Sequence, residues 1–219
     1  GADLLVVETM MSLAEARAAL IAAGEVCDLP VMVTMTFEAG GRTLYGTDAT
    51  TAAVVLESLG AAAVGANCST GPAAMRQVIA DMAACTEIPI IAKPNAGLPF
   101  LDGGRTCYDM DAETFAQEMR VLVEAGASVL GGWCGTTPEY IRKLWDSFGT
   151  GPVPERAGRG GTCYLASERR TVAFGLDGSF LIVGERINPT GKKLLQAQLR
   201  EGRFDKVVQF AEEQEQCGA

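Results

Sequence analysis

Five short apolar runs recur along the first 150 residues at intervals of 27 to 39 residues: "DLLVVET" from Asp3, "PVMVTMTF" from Pro30, "AAAVGANC" from Ala61, "IPIIAKPNAG" from Ile88 and "ASVLGGWC" from Ala127. Strands buried on both faces read as continuous apolar runs of this kind, because neither side meets water. Between them lie helical stretches, "SLAEARAALIAAGEVC" and "DATTAAVVLESLGA", which Ser12 and Asp48 open as N-caps. This βα rhythm implies a parallel sheet, either doubly wound or closed as a (β/α)8 barrel of the TIM type.

What stands at the strand ends favours the barrel. Glu8, Thr36, Asn67 with Cys68, Lys93 with Asn95, and Cys134 each follow an apolar run directly. A barrel gathers all such ends at one mouth, whereas a doubly wound sheet concentrates function in one crevice. Five strands cannot close an eight-stranded barrel, so the expected architecture is an incomplete one. Residues 151–178, rich in Gly, Pro and Ser, read as a linker with one short strand. The pattern then restarts at 179–219, where "FLIVGERINPTGKK" predicts a strand and turn before one or two helices. The chain thus reads as the back of one barrel (1–150), a linker (151–178) and the opening of a second barrel (179–219).

Composition narrows the chemistry. A net charge of −9 argues against a nucleic-acid partner, which would need a basic face. No run of eighteen apolar residues and no basic leader marks a membrane or secretory protein, and seven scattered cysteines fit reduced thiols in the cytoplasm. There is no histidine. Any metal site must therefore use Cys, Asp or Glu, and any proton transfer falls to carboxylate, Lys, Tyr or Cys. Cys68 and Cys134, each just past a strand, could supply two thiolates to one zinc, or could be two small buried residues.

The words "GANCSTGP", "KPNAGLP" and "GGWCGTTPEYI", in that order, resemble the homocysteine S-methyltransferase family, whose fold is a (β/α)8 barrel. "FLIVGERINPTGKK" resembles the start of a pterin-binding barrel, and the two in tandem resemble the cobalamin-dependent methionine synthase family. The resemblance implies that 1–150 match the fourth to eighth strands of the first barrel and that 179–219 match the first βα unit of the second. It implies a zinc held by three cysteines, one in the "NC" motif and two adjacent. Cys68 matches the first and Cys134 the last, but Trp133 stands at the middle position, and an indole nitrogen is a donor only. Losing one of four ligands from a zinc site would cost on the order of 3 kcal/mol, about a hundredfold in affinity. Cys107 is a conceivable substitute thiol.

By the same resemblance, Glu8 binds the amino group of homocysteine and Asn95 hydrogen-bonds the amino acid. A helix N-terminal carboxylate and a turn asparagine are the plainer alternatives. Lys93 is expected to be structural. Asn188, in "GERINPTG" with Glu185 and Arg186, faces the pterin pocket or else opens a turn. The expected activity is methyl transfer to a zinc-activated homocysteine thiolate from methylcobalamin, with methyltetrahydrofolate as source. Both cofactors are expected to be held by a cobalamin-binding domain or protein and by folate-barrel strands outside this chain. Two other readings stay open, a non-catalytic scaffold relative and a methyltransferase for another thiol or donor. Open sheet edges predict self-association, and the chain by itself is expected to show no turnover.

Overall fold

The computed structural model describes residues 1–69, 71–153 and 159–219, in two units, Gly1–Ala173 and Phe174–Ala219. The first unit is built on a parallel sheet of β1 (Leu5–Met10), β2 (Val31–Met35), β3 (Ala63–Asn67), β4 (Ile90–Lys93) and a short strand at Val129–Leu130. These five pair in chain order, all parallel. Sequential order without a reversal is consistent with part of a barrel wall, and it brings all five C-terminal strand ends to one edge.

Helices α1 (Leu13–Val26), α2 (Ala49–Ser58) and α3 (Pro72–Cys85) connect the first four strands. Ser12 Oγ accepts from the Glu15 amide at 3.3 Å and Asp48 Oδ1 from the Thr51 amide at 2.8 Å, so both expected N-caps form. Two helices turn one stripe inward: Leu13, Ala16 and Leu20 on α1, and Met75, Val78, Ile79 and Met82 on α3, are buried at helical spacing, whereas α2 is buried on most sides. The strands are buried as their composition predicts, with every residue of β3 inaccessible.

Between β4 and the strand at 129–130 the chain adds an antiparallel hairpin, β5 (Pro99–Asp102) and β6 (Arg105–Tyr108), then helices α4 (Ala112–Glu118) and α5 (Arg120–Glu124). With these inserted, the short strand Val129–Leu130 is β7, followed by α6 (Pro138–Phe148). The hairpin was not legible as such, because "PFLDGGRTCY" is only four residues a side around two glycines.

Part of the stretch expected as a linker lies at 154–158, outside the described residues. The rest carries two short strands, β8 (Cys163–Ala166) and β9 (Thr171–Phe174), which pair with each other. The turn between them is held to the first unit. Thr47 Oγ1 donates to the Glu168 carbonyl at 2.8 Å and Arg42 to that of Arg169 at 3.1 Å.

The second unit contains α7 (Lys193–Arg200) and α8 (Asp205–Gln216), whose buried residues are Leu195 and Phe210. The strand expected at "FLIVGE" does not form: residues 175–192 hold no strand, and Phe180 and Val183 are exposed. The physical reason is the lack of a partner. A first barrel strand is stabilised by neighbours on both sides, and this unit offers none among its described residues.

Candidate functional site at the strand ends

Asn67, the last residue of β3, organises the edge. Its side chain is fully buried. Oδ1 accepts from the Thr9 amide at 2.9 Å and from Thr34 Oγ1 at 2.7 Å, while Nδ2 donates to Thr9 Oγ1 at 2.9 Å. Thr36 Oγ1 donates to the Asn67 carbonyl at 3.2 Å. One amide thus ties the ends of β1, β2 and β3 together. It also explains the backbone of Thr9, which has φ +60°, a strained value for a β-branched residue. Cys68 and Ser69 follow with φ +66° each. Three non-glycine residues in the left-handed region at neighbouring strand ends mark the kind of place where strain is kept for a purpose.

Beside this brace sits an ion pair. Glu8 on β1 meets the ammonium of Lys93 on β4, with the two side chains 37% and 20% exposed. The Lys93 ammonium also lies 5.0 Å from the centroid of the Trp133 ring. The Trp133 amide donates to the Pro94 carbonyl at 3.0 Å, and its carbonyl accepts from Thr136 Oγ1 at 2.6 Å. Lys93, expected to be merely structural, therefore joins Glu8 to Trp133 across the edge.

The loop after β4 is stitched to the loop after β7. Ala96 N–H donates to the Cys134 carbonyl at 2.9 Å. Asn95, in the same loop, is 5% exposed, and its Oδ1 is buried with no hydrogen-bond partner among the described residues. An orphaned buried carbonyl oxygen costs roughly 1–3 kcal/mol, which a ligand's donor would recover. The hairpin adds a residue that sequence reasoning missed, Tyr108. A Cβ on Gly135 (φ +83°) would fall 2.4 Å from Tyr108 Cγ, so only glycine lets the ring pack there. The Tyr108 phenol is pushed above its usual pKa, first by its interaction with the Cys134 thiol, then by burial. The packing on Gly135 sets Tyr108 beside the Cys134 end of the loop. The only sequence signal for Tyr108 was its position in a glycine-flanked turn between two strand ends.

A three-thiolate zinc site does not fit these residues. Cys68 and Cys134 offer two sulfurs, Trp133 offers none, and no group of three or more His, Cys, Asp or Glu side chains stands together among the described residues. Cys107, half-buried on β6, does not complete a trio.

In the second unit, Asn188 is exposed. Its Oδ1 accepts from the Thr190 amide at 2.9 Å and its carbonyl accepts from Lys192 Nζ at 3.0 Å. That is an Asx turn leading into α7. Arg186 stacks 5.3 Å from the Phe210 centroid, and its amide donates to Gln214 Oε1 at 2.7 Å.

The homocysteine S-methyltransferase family profile matches residues 1–148. The methionine synthase of Mycobacterium tuberculosis (strain ATCC 25618 / H37Rv) is 31% identical over 228 aligned residues, and that of Mycobacterium leprae (strain TN) 31% over 233. In each case the whole of this chain is covered, and the chain spans 19% of the relative's length. The apo form of the homocysteine methyltransferase MmuM from Escherichia coli superposes with a TM-score of 0.54 at 23% identity, covering 67% of this chain and 50% of that one. Its metallated form gives 0.54 at 23%, covering 66% and 44%. These structures support an α/β fold with a parallel sheet, consistent with part of a TIM-type barrel.

Proposed function

Because this chain belongs to the homocysteine S-methyltransferase family, we propose that it forms part of the homocysteine-binding barrel of a methionine-synthase-type methyltransferase. Residues 1–150 would supply the fourth to eighth strands of that barrel, and 179–219 the opening of a pterin-binding barrel. The observation that carries the reading is the convergence of Glu8, Asn95, Cys68 and Cys134 on one sheet edge from four different strand ends.

The reaction class is methyl transfer to the homocysteine sulfur. The thiol, with an unperturbed pKa of about 8.5, gives up its proton to solvent; the sulfur lone pair then forms the new bond to methyl carbon as the donor's bond breaks. Glu8 takes the substrate ammonium, and the orphaned Oδ1 of Asn95 accepts a hydrogen bond from the bound amino acid. These two groups fix the amino-acid end, so that the sulfur lies toward Cys68 and Cys134. In a methionine-synthase-type enzyme methylcobalamin, recharged from methyltetrahydrofolate, would be the donor, and sequence outside this chain would bind both. Asn188 remains a candidate for the pterin side, although its side chain is engaged in its own turn.

Zinc activation of the thiol is a property this chain's donor set does not carry, and Trp133 favours a second reading, a barrel that binds homocysteine without turning it over. One pair of measurements on the protein expressed with its flanking sequence separates the two: calorimetric titration with homocysteine, and methionine formation with methylcobalamin. Binding with turnover supports the methyltransferase. Binding without turnover supports the non-catalytic relative. Failure to bind homocysteine overturns both. Elemental analysis is expected to find zinc at well below one per chain, rising to about one in Trp133→Cys. Stoichiometric zinc in the unaltered protein would show that another ligand had replaced the missing thiol.

A further inference from the structure

We propose that Lys93 is a specificity-determining residue of the same site, the cationic arm that pairs with the carboxylate of an α-amino-acid substrate while Glu8 pairs with its ammonium. The inference rests on the homocysteine reading above and assigns a role that this reading leaves open.

Three contacts fix where the Lys93 charge stands. Its aliphatic stem passes Gly131, just after β7, so that a Cβ there would lie 3.1 Å from Cγ and 3.3 Å from Cδ. Its ammonium is held 5.0 Å from the Trp133 ring centroid, where the negative face of the indole attracts it. The same ammonium pairs with the Glu8 carboxylate. The position is therefore set from β1, β4 and the loop after β7 together, at the edge where Asn95 carries an oxygen unpartnered among the described residues.

The pairing creates a selection rule. A ligand that brings only an ammonium to Glu8 must either displace Lys93 or sit beside a like charge, and both cost free energy. A zwitterion brings both signs. It can insert across the pair with its ammonium on Glu8 and its carboxylate on Lys93, and every charge keeps a partner. An amino-acid head group fits that rule, and a simple aminothiol does not. Glu8 is the more exposed of the two, so the pair is open on the side a ligand would approach.

The test compares L-homocysteine with 3-aminopropane-1-thiol, which is homocysteine without its carboxylate, by calorimetric titration of the protein with its flanking sequence. The unaltered protein is expected to prefer homocysteine by about tenfold or more, the weight of one charge-assisted hydrogen bond. Lys93→Met keeps the stem over Gly131 and Trp133. It should weaken homocysteine about tenfold while leaving the aminothiol as tight or tighter, and Lys93→Arg should restore the preference. Equal loss for both ligands, or none for either, would overturn the assignment, while binding of homocysteine by the unaltered protein would keep the homocysteine reading standing. If the unaltered protein binds neither ligand, the homocysteine reading fails and this assignment fails with it.

Discussion

At the scale of single residues, two buried polar side chains show how the same burial can serve opposite ends. Asn67 is inaccessible, yet each of its polar atoms is engaged, and the three strand ends it joins owe their spacing to it. The sequence marked it only as a polar residue beside Cys68; its partners Thr9 and Thr34 lie 58 and 33 residues away. Cys85, at the end of α3, is buried with its thiol donating locally to the Met82 carbonyl at 3.3 Å. Burial, helped by the nearby charges of Glu57 and Asp81, pushes its thiol from 9.0 up to about 12. A group whose folded pKa is raised contributes stability that is complete below its unfolded value and lost as pH rises through the folded one. Unfolding free energy should therefore fall between pH 9 and pH 12, by up to about 4 kcal/mol for a shift of this size. Urea titrations of the unaltered chain and of Cys85→Ala across that range check it: parallel pH profiles would rule out Cys85 as the source.

At the scale of elements, the parallel strands were legible because two-sided burial writes continuous apolar runs, and the helices because of their caps. The closeness of neighbouring strands was not. Gly65 in β3 leaves no room for a side chain, since a Cβ would fall 1.9 Å from the Ile91 carbonyl oxygen and 2.7 Å from Ile91 Cβ on β4. Replacing it with alanine must push β3 from β4 and disturb the register that aligns Asn67 with Lys93. Gly65→Ala is expected to destabilise the fold by about 3 kcal/mol, at the upper end of overpacking costs. A shift of under 0.5 kcal/mol in chemical denaturation would mean that the strands relax freely there. The run "FLIVGE" teaches the converse lesson: strand composition does not make a strand without a hydrogen-bonding neighbour.

At the scale of the whole molecule, β1 and β7 each have one strand neighbour among the described residues, so the sheet presents two edges. Val6 on β1 is 45% exposed. Unpaired amide and carbonyl rows beside exposed apolar side chains recruit another chain. The 219-residue chain alone should self-associate at micromolar concentration in size-exclusion chromatography with light scattering, and Val6→Lys should shift it toward monomer. A monomer at every concentration would contradict the open-edge reading. No helix among the described residues is long and apolar enough to cross a membrane.

The sequence by itself determined the periodic βα order, the loaded strand ends and the pair of cysteines flanked by Trp133, because these are local features: apolar runs, capping residues and short motifs. Only the tertiary structure decided that Lys93 bridges Glu8 and Trp133, that Tyr108 folds over Gly135 beside Cys134, and that, among the described residues, Asn95 keeps an unpartnered oxygen and no third thiol joins Cys68 and Cys134. Each of those depends on which strand ends become neighbours. Spacing along the chain sets the reach of a side chain, but hydrogen-bonded pairing of distant strands chooses what it meets.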